Sequence, residues 1–135
     1  MLFLGLVFFQ VFHSIEEILA GLPGYAARIS ARIHMSLSWF PGFSVDRELF
    51  SAINILIIAL LFTVCIFVFL EKRWAAPFAL VIAILEILNG MADISGAIVL
   101  WHYFPGCISA FGLILLGLLV IRYKESGLIH TVKHE

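Results

Sequence analysis

A histidine and two adjacent carboxylates lie inside the apolar N-terminal stretch of the chain, where His13 is followed by Glu16 and Glu17. In a helix, Gln10, His13 and Glu17 are spaced i, i+3 and i+7 and share one face. One imidazole with several carboxylates is a ligand set that suits iron, manganese or zinc. The same groups serve as general acid and base in enzymes. The stretch is therefore the first candidate site.

A second polar stripe lies on a later apolar stretch, where Glu86, Asn89 and Asp93 repeat the same spacing. At a rise of about 1.5 Å per residue, both stripes and Asn54 of the intervening segment reach similar depths in an apolar core about 30 Å thick. We therefore predict one polar layer to which three helices contribute. It lies nearer the side away from the chain termini.

This layer supplies the candidate site residues. The predicted catalytic groups are His13, Glu16, Glu17, Glu86 and Asp93. The predicted ligands of a divalent metal ion (Fe, Mn or Zn) are His13, Glu17, Glu86 and Asp93. Asn54 and Asn89 are expected to orient the substrate. The alternative is a hydrogen-bonded cluster that only fixes helix packing.

The composition indicates the environment of these groups. Of 135 residues, 63% are hydrophobic and 13% are charged, whereas a soluble domain has about 25% charged residues. This balance is typical of a polytopic membrane protein. A net charge of −1 gives no basic field for nucleic acid. Cys65 and Cys107 lie in apolar segments, and their pattern predicts neither a disulfide framework nor a metal site.

The apolar segments predict an all-α fold, a bundle of four transmembrane helices in one domain over residues 1–124. The spans are expected at about 1–22, 49–70, 74–103 and 107–121, with a tilt or kink near Asn89-Gly90 and a polar tail over 125–135. Between the first two spans, Arg28 and Arg32 accompany apolar residues at helical spacing. This pattern predicts a short interfacial amphipathic helix; an irregular loop is the alternative.

The retained N-terminus and the flanking charges predict the orientation. Residues 1–22 lack a basic n-region, so we expect a span rather than a cleaved signal peptide. Lys and Arg residues on the side of the termini number five, against three on the opposite side. The five are Lys72, Arg73, Arg122, Lys124 and Lys133, and the three are Arg28, Arg32 and Arg47. The positive-inside rule then predicts an integral multi-pass protein with both termini in the cytoplasm.

The polar layer is costly to insert. An ionised residue at mid-membrane costs about 2.5–3.5 kcal/mol on insertion scales, whereas a Leu or Ile returns about 0.3–0.6 kcal/mol. The spans contain no Lys or Arg that could pair with Glu16, Glu17, Glu86 and Asp93. We therefore expect these carboxyl groups to be protonated, hydrated, paired with His13 or bound to a metal ion.

The run His13-Ser14-Ile15-Glu16-Glu17 resembles the HXXEE-motif family of small, uncharacterised integral membrane proteins. Members tend to carry an Asn with a His four residues later, and then a Tyr-x-Pro-Gly turn. Asn89 and the turn Tyr103-Phe104-Pro105-Gly106 match, whereas Asp93 stands where the family pattern has His. The resemblance supports a site at these residues and implies no particular activity.

These observations lead to three functional hypotheses. The first is a membrane-embedded enzyme that acts on a lipid-like or small apolar substrate, either with a metal ion or by metal-free proton transfer in the manner of four-helix sterol isomerases. The second is an accessory subunit of a larger membrane complex, or a homo-oligomer, that binds a cofactor, a pigment or a partner helix. The third is a proton or ion pathway through the titratable groups.

Overall fold

The computed structural model of the chain describes residues 1–42 and 44–131, with side chains described as far as residue 123. Over these residues the chain forms five α-helices and no strand, which confirms the all-α prediction. The helices are α1 (Leu2–Ala20), α2 (Leu22–Ser36), α3 (Arg47–Phe69), α4 (Ala75–Leu100) and α5 (Cys107–Thr131).

Three of the helices are long and apolar enough to cross a membrane, namely α1, α3 and α4. The apolar part of α5 for which side chains are described, Cys107–Tyr123, is shorter. Apolar side chains are exposed on the outer faces of α1, α3, α4 and α5, for example Phe12, Leu56, Leu85 and Phe111. Exposed apolar surface of this extent is typical of a protein surrounded by lipid or by partner helices.

The connection after α1 contains the expected amphipathic helix. Gly21 ends α1 in the left-handed conformation, with φ 76°, and α2 begins at the next residue with Pro23 in its first turn. Glycine tolerates this conformation and proline fits the first turn of a helix. The alternative of an irregular loop over this stretch is therefore wrong, although residues 37–46 do form a non-helical connection to α3 wherever they are described.

Two helices end at residues other than the ends of the predicted membrane spans, and the limits of the spans in a membrane stay predictions. The third apolar segment was expected to extend to Tyr103, but α4 ends at Leu100, because Trp101 takes the left-handed conformation with φ 53°. The fourth was expected to end at Ile121, but α5 continues to Thr131. The predicted polar tail thus belongs to α5 as far as residue 131, and residues 132–135 lie outside the described part. Helix α4 is continuous through Asn89 and Gly90.

The four long helices contact one another in a ring. The pairs in extensive contact are α1 with α3, α3 with α4, α4 with α5 and α5 with α1. Ser14 bonds to Asn54 of α3, whereas Phe8, nearer the start of α1, packs on Phe62. The direction of α3 is therefore opposite to that of α1. The short connections after α3 and α4 reverse the chain again, so α1 and α4 run in parallel across the ring.

The interior of the ring has an apolar and a polar half. Near the N-terminus of α1, buried side chains such as Leu6, Val7, Leu61 and Leu113 form the core. Toward the C-terminal ends of α1 and α4, the buried residues include the polar side chains Gln10, His13, Ser14, Glu17, Asn54, Glu86 and Asp93. The candidate residues therefore lie together between the helices.

Candidate metal centre

His13 is at the middle of the polar half and is completely buried. Its Nε2 atom lies 3.3 Å from Oε1 of Glu17 and 3.1 Å from Oδ2 of Asp93. Ligand atoms of these three residues all lie within 4.8 Å of one another. Glu17 and Asp93 are themselves 6% and 5% exposed. One imidazole nitrogen and two carboxylate oxygens thus converge on one small volume.

Two parallel helices bring these groups together. His13 and Glu17 are four residues apart on α1, so they lie one turn apart on the same face. Asp93 lies on α4, and Asn89 one turn earlier on α4 places its side-chain nitrogen 3.0 Å from Nε2 of His13. The amide nitrogen and oxygen of Asn89 are interchangeable by a flip. After that flip, its oxygen would lie 3.0 Å from Nε2 of His13 and could serve as a fourth ligand.

Glu16 lies outside this group and caps α5. Its carboxylate accepts hydrogen bonds from the backbone N–H groups of Ile108 (3.2 Å) and Ser109 (2.9 Å). The hydroxyl groups of Ser109 (2.6 Å) and Tyr103 (2.9 Å) donate to it as well. Helix N-termini present unpaired N–H groups and a positive dipole end, and a carboxylate satisfies both. The two adjacent glutamates of α1 therefore have different environments.

The Glu16 contact also determines which nitrogen of His13 carries a proton. Ser109 has one hydroxyl proton, and its shortest contact is to Oε2 of Glu16, at 2.6 Å. Nδ1 of His13 lies 2.9 Å from the same hydroxyl oxygen. Since that oxygen donates its proton to Glu16, Nδ1 of His13 must be the donor in this contact. Nε2 then has a lone pair directed toward Glu17 and Asp93. Metal-binding histidines typically show this arrangement, with the second nitrogen held by a polar group.

The convergence of these acceptors favours a bound cation. Nε2 and the oxygens of Glu17 and Asp93 are all acceptors in this state. The side-chain nitrogen of Asn89 can donate to Nε2, but Oδ2 of Asp93 is buried without a hydrogen-bond donor. Buried acceptors that face one another without a proton or a cation between them are strongly unfavourable. A divalent metal ion would satisfy all three. A second proton on His13 is the alternative, because it would allow Nε2 to donate to Asp93 or Glu17.

Gly106 closes the centre on the side of the α4–α5 connection. Its φ of +94° is one that side chains rarely adopt. A Cβ atom built at Gly106 would lie 2.8 Å from Oδ2 of Asp93 and 2.8 Å from Cε1 of His13. The backbone of the connection therefore packs directly on the two groups, which only glycine allows.

The other predicted residues lie around the centre. Asn54 accepts a hydrogen bond from Ser14 at 2.7 Å and donates to the Phe50 carbonyl, which ties α3 to α1 beside His13. Gln10 donates to the same Ser14 hydroxyl at 3.3 Å. Glu86 is buried, with 7% of its surface exposed, and lies within electrostatic range of His13 and Glu17. It is not part of the three-residue ligand group.

Tyr103 lies at the outer edge of the Glu16 contacts. Partial burial and the hydrogen bond to Glu16 raise the pKa of Tyr103 to about 12. The phenol therefore keeps its proton at neutral pH and remains a donor to Glu16.

Sequence reasoning missed several residues of this arrangement, above all Ser109, Ser14 and the structural role of Gly106. Ser109 follows the Tyr-x-Pro-Gly turn and lies in the first turn of α5. A hydroxyl residue at a helix start, opposite an unpaired carboxylate on another helix, was the available signal. Ser14 lies inside the HXXEE run itself, but a serine in an apolar helix is too common to stand out.

Comparisons of the chain with protein-family models, with curated proteins and with solved structures gave no match. The function of the centre is therefore inferred from its own geometry.

Proposed function

We propose that the chain is an integral membrane enzyme with a metal-dependent His/carboxylate centre that acts on a lipid-like or small apolar substrate. The observation that carries the proposal is the convergence of His13 Nε2, Glu17 and Asp93 on one buried volume. The orientation of His13 by Ser109 and Glu16 supports it, because a purely structural histidine needs no such control of its free nitrogen.

The ligand set has the character of sites for Fe, Mn or Zn. A bound divalent ion supplies Lewis acidity and lowers the pKa of a coordinated water molecule. In the chain itself, Glu16 and Ser109 hold the imidazole, and Asn89 binds next to it. Glu86 is the nearby buried carboxyl group outside the ligand set, and its role is to accept or donate a proton during the reaction.

A metal-free reaction is the second candidate, and one observation favours it. The 3.1 Å separation of His13 Nε2 from Asp93 equals that of a hydrogen bond as well as that of two ligands of one metal ion. With a second proton, His13 would be an acid poised between two carboxylates, and the enzyme would transfer protons within an apolar substrate.

The proposal includes the placement of the chain in the membrane. Helices α1, α3, α4 and α5 form a four-helix transmembrane bundle, with α2 in the interface and both termini in the cytoplasm. Close packing of α5 along α4 and α1 supports the fourth span. We also propose, from the run His13-Ser14-Ile15-Glu16-Glu17, that the chain belongs to the HXXEE-motif family.

Metal analysis of the purified full-length chain tests the centre. We expect about one Fe, Mn or Zn ion per chain in the wild type, and its loss in His13→Ala and Asp93→Asn, since each removes one of three protein ligands. Glu48→Gln is the matched control, because Glu48 is an exposed carboxylate in the first turn of α3. A wild-type protein without stoichiometric metal would overturn the metal-dependent reading.

A second measurement tests the enzymatic part. The wild type and Asp93→Asn are reconstituted in the same extract of membrane lipids and incubated, and the lipids are compared by mass spectrometry. We expect a product that forms only with the wild type. If it forms equally well from metal-free protein, the reaction is proton transfer without metal. If neither protein changes any lipid and the chain purifies in fixed ratio with other subunits, the enzyme proposal is wrong and the accessory-subunit hypothesis replaces it.

A further inference from the structure

A cavity that is separate from the His13 centre lies between α2 and the end of α4. Its volume is about 200 Å³, below the roughly 300–1,000 Å³ of pockets that enclose whole drug-sized ligands. The residues that line it are Tyr25, Arg28, Ile29, Arg32, Leu100 and His102. Two arginines, a histidine and a phenol in so small a cavity indicate a polar headgroup rather than an entire molecule.

The two arginines have the same charge and lie four residues apart, hence on one face of α2. Like charges at this spacing destabilise a helix. Within the part of the chain that the structure describes, neither guanidinium forms an ion pair with a carboxylate. An anion in the cavity would relieve the repulsion between Arg28 and Arg32.

Arg28 is held in position by its own helix. Its guanidinium carbon lies 4.5 Å from the centre of the Tyr25 ring, and its Nε donates to the Gly24 carbonyl at 3.3 Å. These contacts leave the terminal nitrogens of the guanidinium for a ligand. Arginine binds phosphate oxygens through two parallel N–H donors, which makes it well suited to this ligand.

His102 is oriented by an unusual backbone conformation. Trp101, with φ 53°, ends α4 in the left-handed region that non-glycine residues rarely adopt. The chain then turns so that Nδ1 of His102 donates to the Leu100 carbonyl at 2.6 Å. Nε2 remains for a ligand: it donates to a phosphate oxygen when the imidazole carries its second proton, or accepts from a phosphate group that retains a proton. The strained residue thus places a third nitrogen group at the cavity, and strain of this kind is common where a site requires it.

The connection 101–106 forms a wall of both the cavity and the His13 centre. The Tyr25 ring of the cavity packs against Phe104, with 6.0 Å between ring centres. Tyr103 donates to Glu16, and Gly106 packs on His13 and Asp93. A ligand anchored at Arg28 and Arg32 is therefore a close neighbour of the centre.

From these contacts we infer that the cavity of Arg28, Arg32 and His102 binds the phosphate group of an amphiphilic substrate, whose apolar part extends toward the His13 centre. That the ligand is also the substrate rests on the proposed function. The inference narrows the substrate class from any apolar molecule to a phosphate-bearing amphiphile.

Binding of a soluble lipid to the full-length chain in a nonionic detergent tests the inference. The probe is dihexanoyl phosphatidic acid, and dihexanoyl glycerol is the neutral comparison. We expect the wild type to bind the phosphatidic acid at least about tenfold more tightly than the glycerol, and Arg28→Gln/Arg32→Gln to remove this preference, because charge-assisted contacts to phosphate are lost. Arg47→Gln is the control, since Arg47 is exposed at the start of α3 and does not line the cavity.

Two results would overturn the inference. One is a wild type that binds both lipids alike; the other is a double variant that still prefers phosphatidic acid. Binding of inorganic phosphate is measured as well, to distinguish a lipid phosphate group from free phosphate as the ligand. If inorganic phosphate binds the wild type as tightly as phosphatidic acid does, and the double variant loses both, the cavity recognises free phosphate and the amphiphile assignment is wrong. Metal content of the double variant is measured alongside and should match the wild type, because neither arginine belongs to the His13 centre.

Failure of this inference and failure of the proposed function give different patterns. His13→Ala removes a metal ligand but leaves the cavity intact, so it should bind phosphatidic acid like the wild type. If the wild type lacks metal but binds the lipid through the arginines, only the metal-dependent function is wrong. If metal binds normally and the double variant binds the lipid unchanged, only the present inference is wrong.

Discussion

Glu16 and Glu17 are neighbours in the chain but contact different groups. Neighbouring residues on a helix point about 100° apart, so Glu17 faces His13 and Asp93 while Glu16 faces the start of α5. Each carboxylate, buried at Glu17 and partly exposed at Glu16, has polar partners that stabilise it in an apolar helix. In the proposed metal centre, Glu17 would be a ligand and Glu16 would position His13 through Ser109.

Ser109 is predicted to position His13 without binding metal itself. Ser109→Ala should weaken metal affinity by roughly 10–100-fold, because removal of the group that orients a ligand has effects of this size. All three ligand residues remain in this variant. The measurement is a competition titration with a chelator of known affinity. Ser109→Thr restores a hydroxyl and should recover most of the affinity.

The control for this prediction is Ser95→Ala. Ser95 is an exposed serine of α4 whose hydroxyl donates to the Met91 carbonyl at 2.7 Å, away from the centre. Its loss should leave metal affinity unchanged. Equal affinities of Ser109→Ala and the wild type would show that the hydroxyl does not control His13.

Gly106 is predicted to tolerate no side chain. In Gly106→Ala, the added methyl group would collide with Asp93 and His13, and the φ of +94° would be strained. We expect loss of metal binding and destabilisation by about 1–3 kcal/mol. Gly24→Ala is the matched control, because nothing lies within 4 Å of the position of its Cβ. Thermal unfolding and metal analysis of both variants make the comparison; normal metal content in Gly106→Ala would contradict the described contact.

At the scale of helices, small residues let α5 approach its neighbours. A Cβ at Gly90 of α4 would lie 2.9 Å from the Ala110 carbonyl oxygen, and one at Gly117 would lie 2.6 Å from Cγ1 of Ile87. Gly112 packs in the same way against Phe9 of α1. Small residues such as Gly112 and Gly117 let the backbones of two helices approach closely, as they do in known membrane proteins. This close approach is also what brings Ser109 within reach of His13.

Gly90→Ala should therefore disturb both stability and the centre. The methyl group meets backbone rather than a flexible side chain, so α4 and α5 must separate, at a cost of about 1–3 kcal/mol. Gly5→Ala is the control, because its Cβ would lie 3.8 Å from Leu116, an ordinary contact. Unfolding in a denaturing detergent measures the stability of the two variants. A Gly90→Ala protein as stable as Gly5→Ala would contradict close packing at this point.

At the scale of the whole molecule, the polar centre and the arginine cavity lie at one end and the apolar core at the other. This separation of a polar end from an apolar end agrees with the proposed function, in which the substrate is anchored at one membrane interface and reacts a short distance below it. The apolar outer faces of α1, α3, α4 and α5 then meet lipid or partner helices.

The proposed topology predicts which positions a membrane-impermeant thiol reagent reaches. With Cys65 and Cys107 replaced by Ser, Ser38→Cys in the α2–α3 connection should react in intact cells. Glu71→Cys, in the α3–α4 turn, and Lys133→Cys, near the C-terminus, should react only after permeabilisation. The reason is that an even number of spans returns the chain to the side on which it began. If Lys133→Cys reacts with the reagent in intact cells, as Ser38→Cys should, then α5 does not cross the membrane.

The sequence by itself determined the helical fold, the apolar environment and the types of residue in the centre. Period and composition act locally, so a His and a Glu one turn apart share a face whatever surrounds them, and Glu86, Asn89 and Asp93 form a stripe on α4 for the same reason. The tertiary structure decided which of these groups meet. The packing of α1 against α4 and α5 turns Glu17 toward Asp93 and Glu16 toward the start of α5, and the close approach of α5 adds Ser109 and Gly106. Such contacts depend on packing between segments far apart in the chain, and local sequence patterns do not predict this packing.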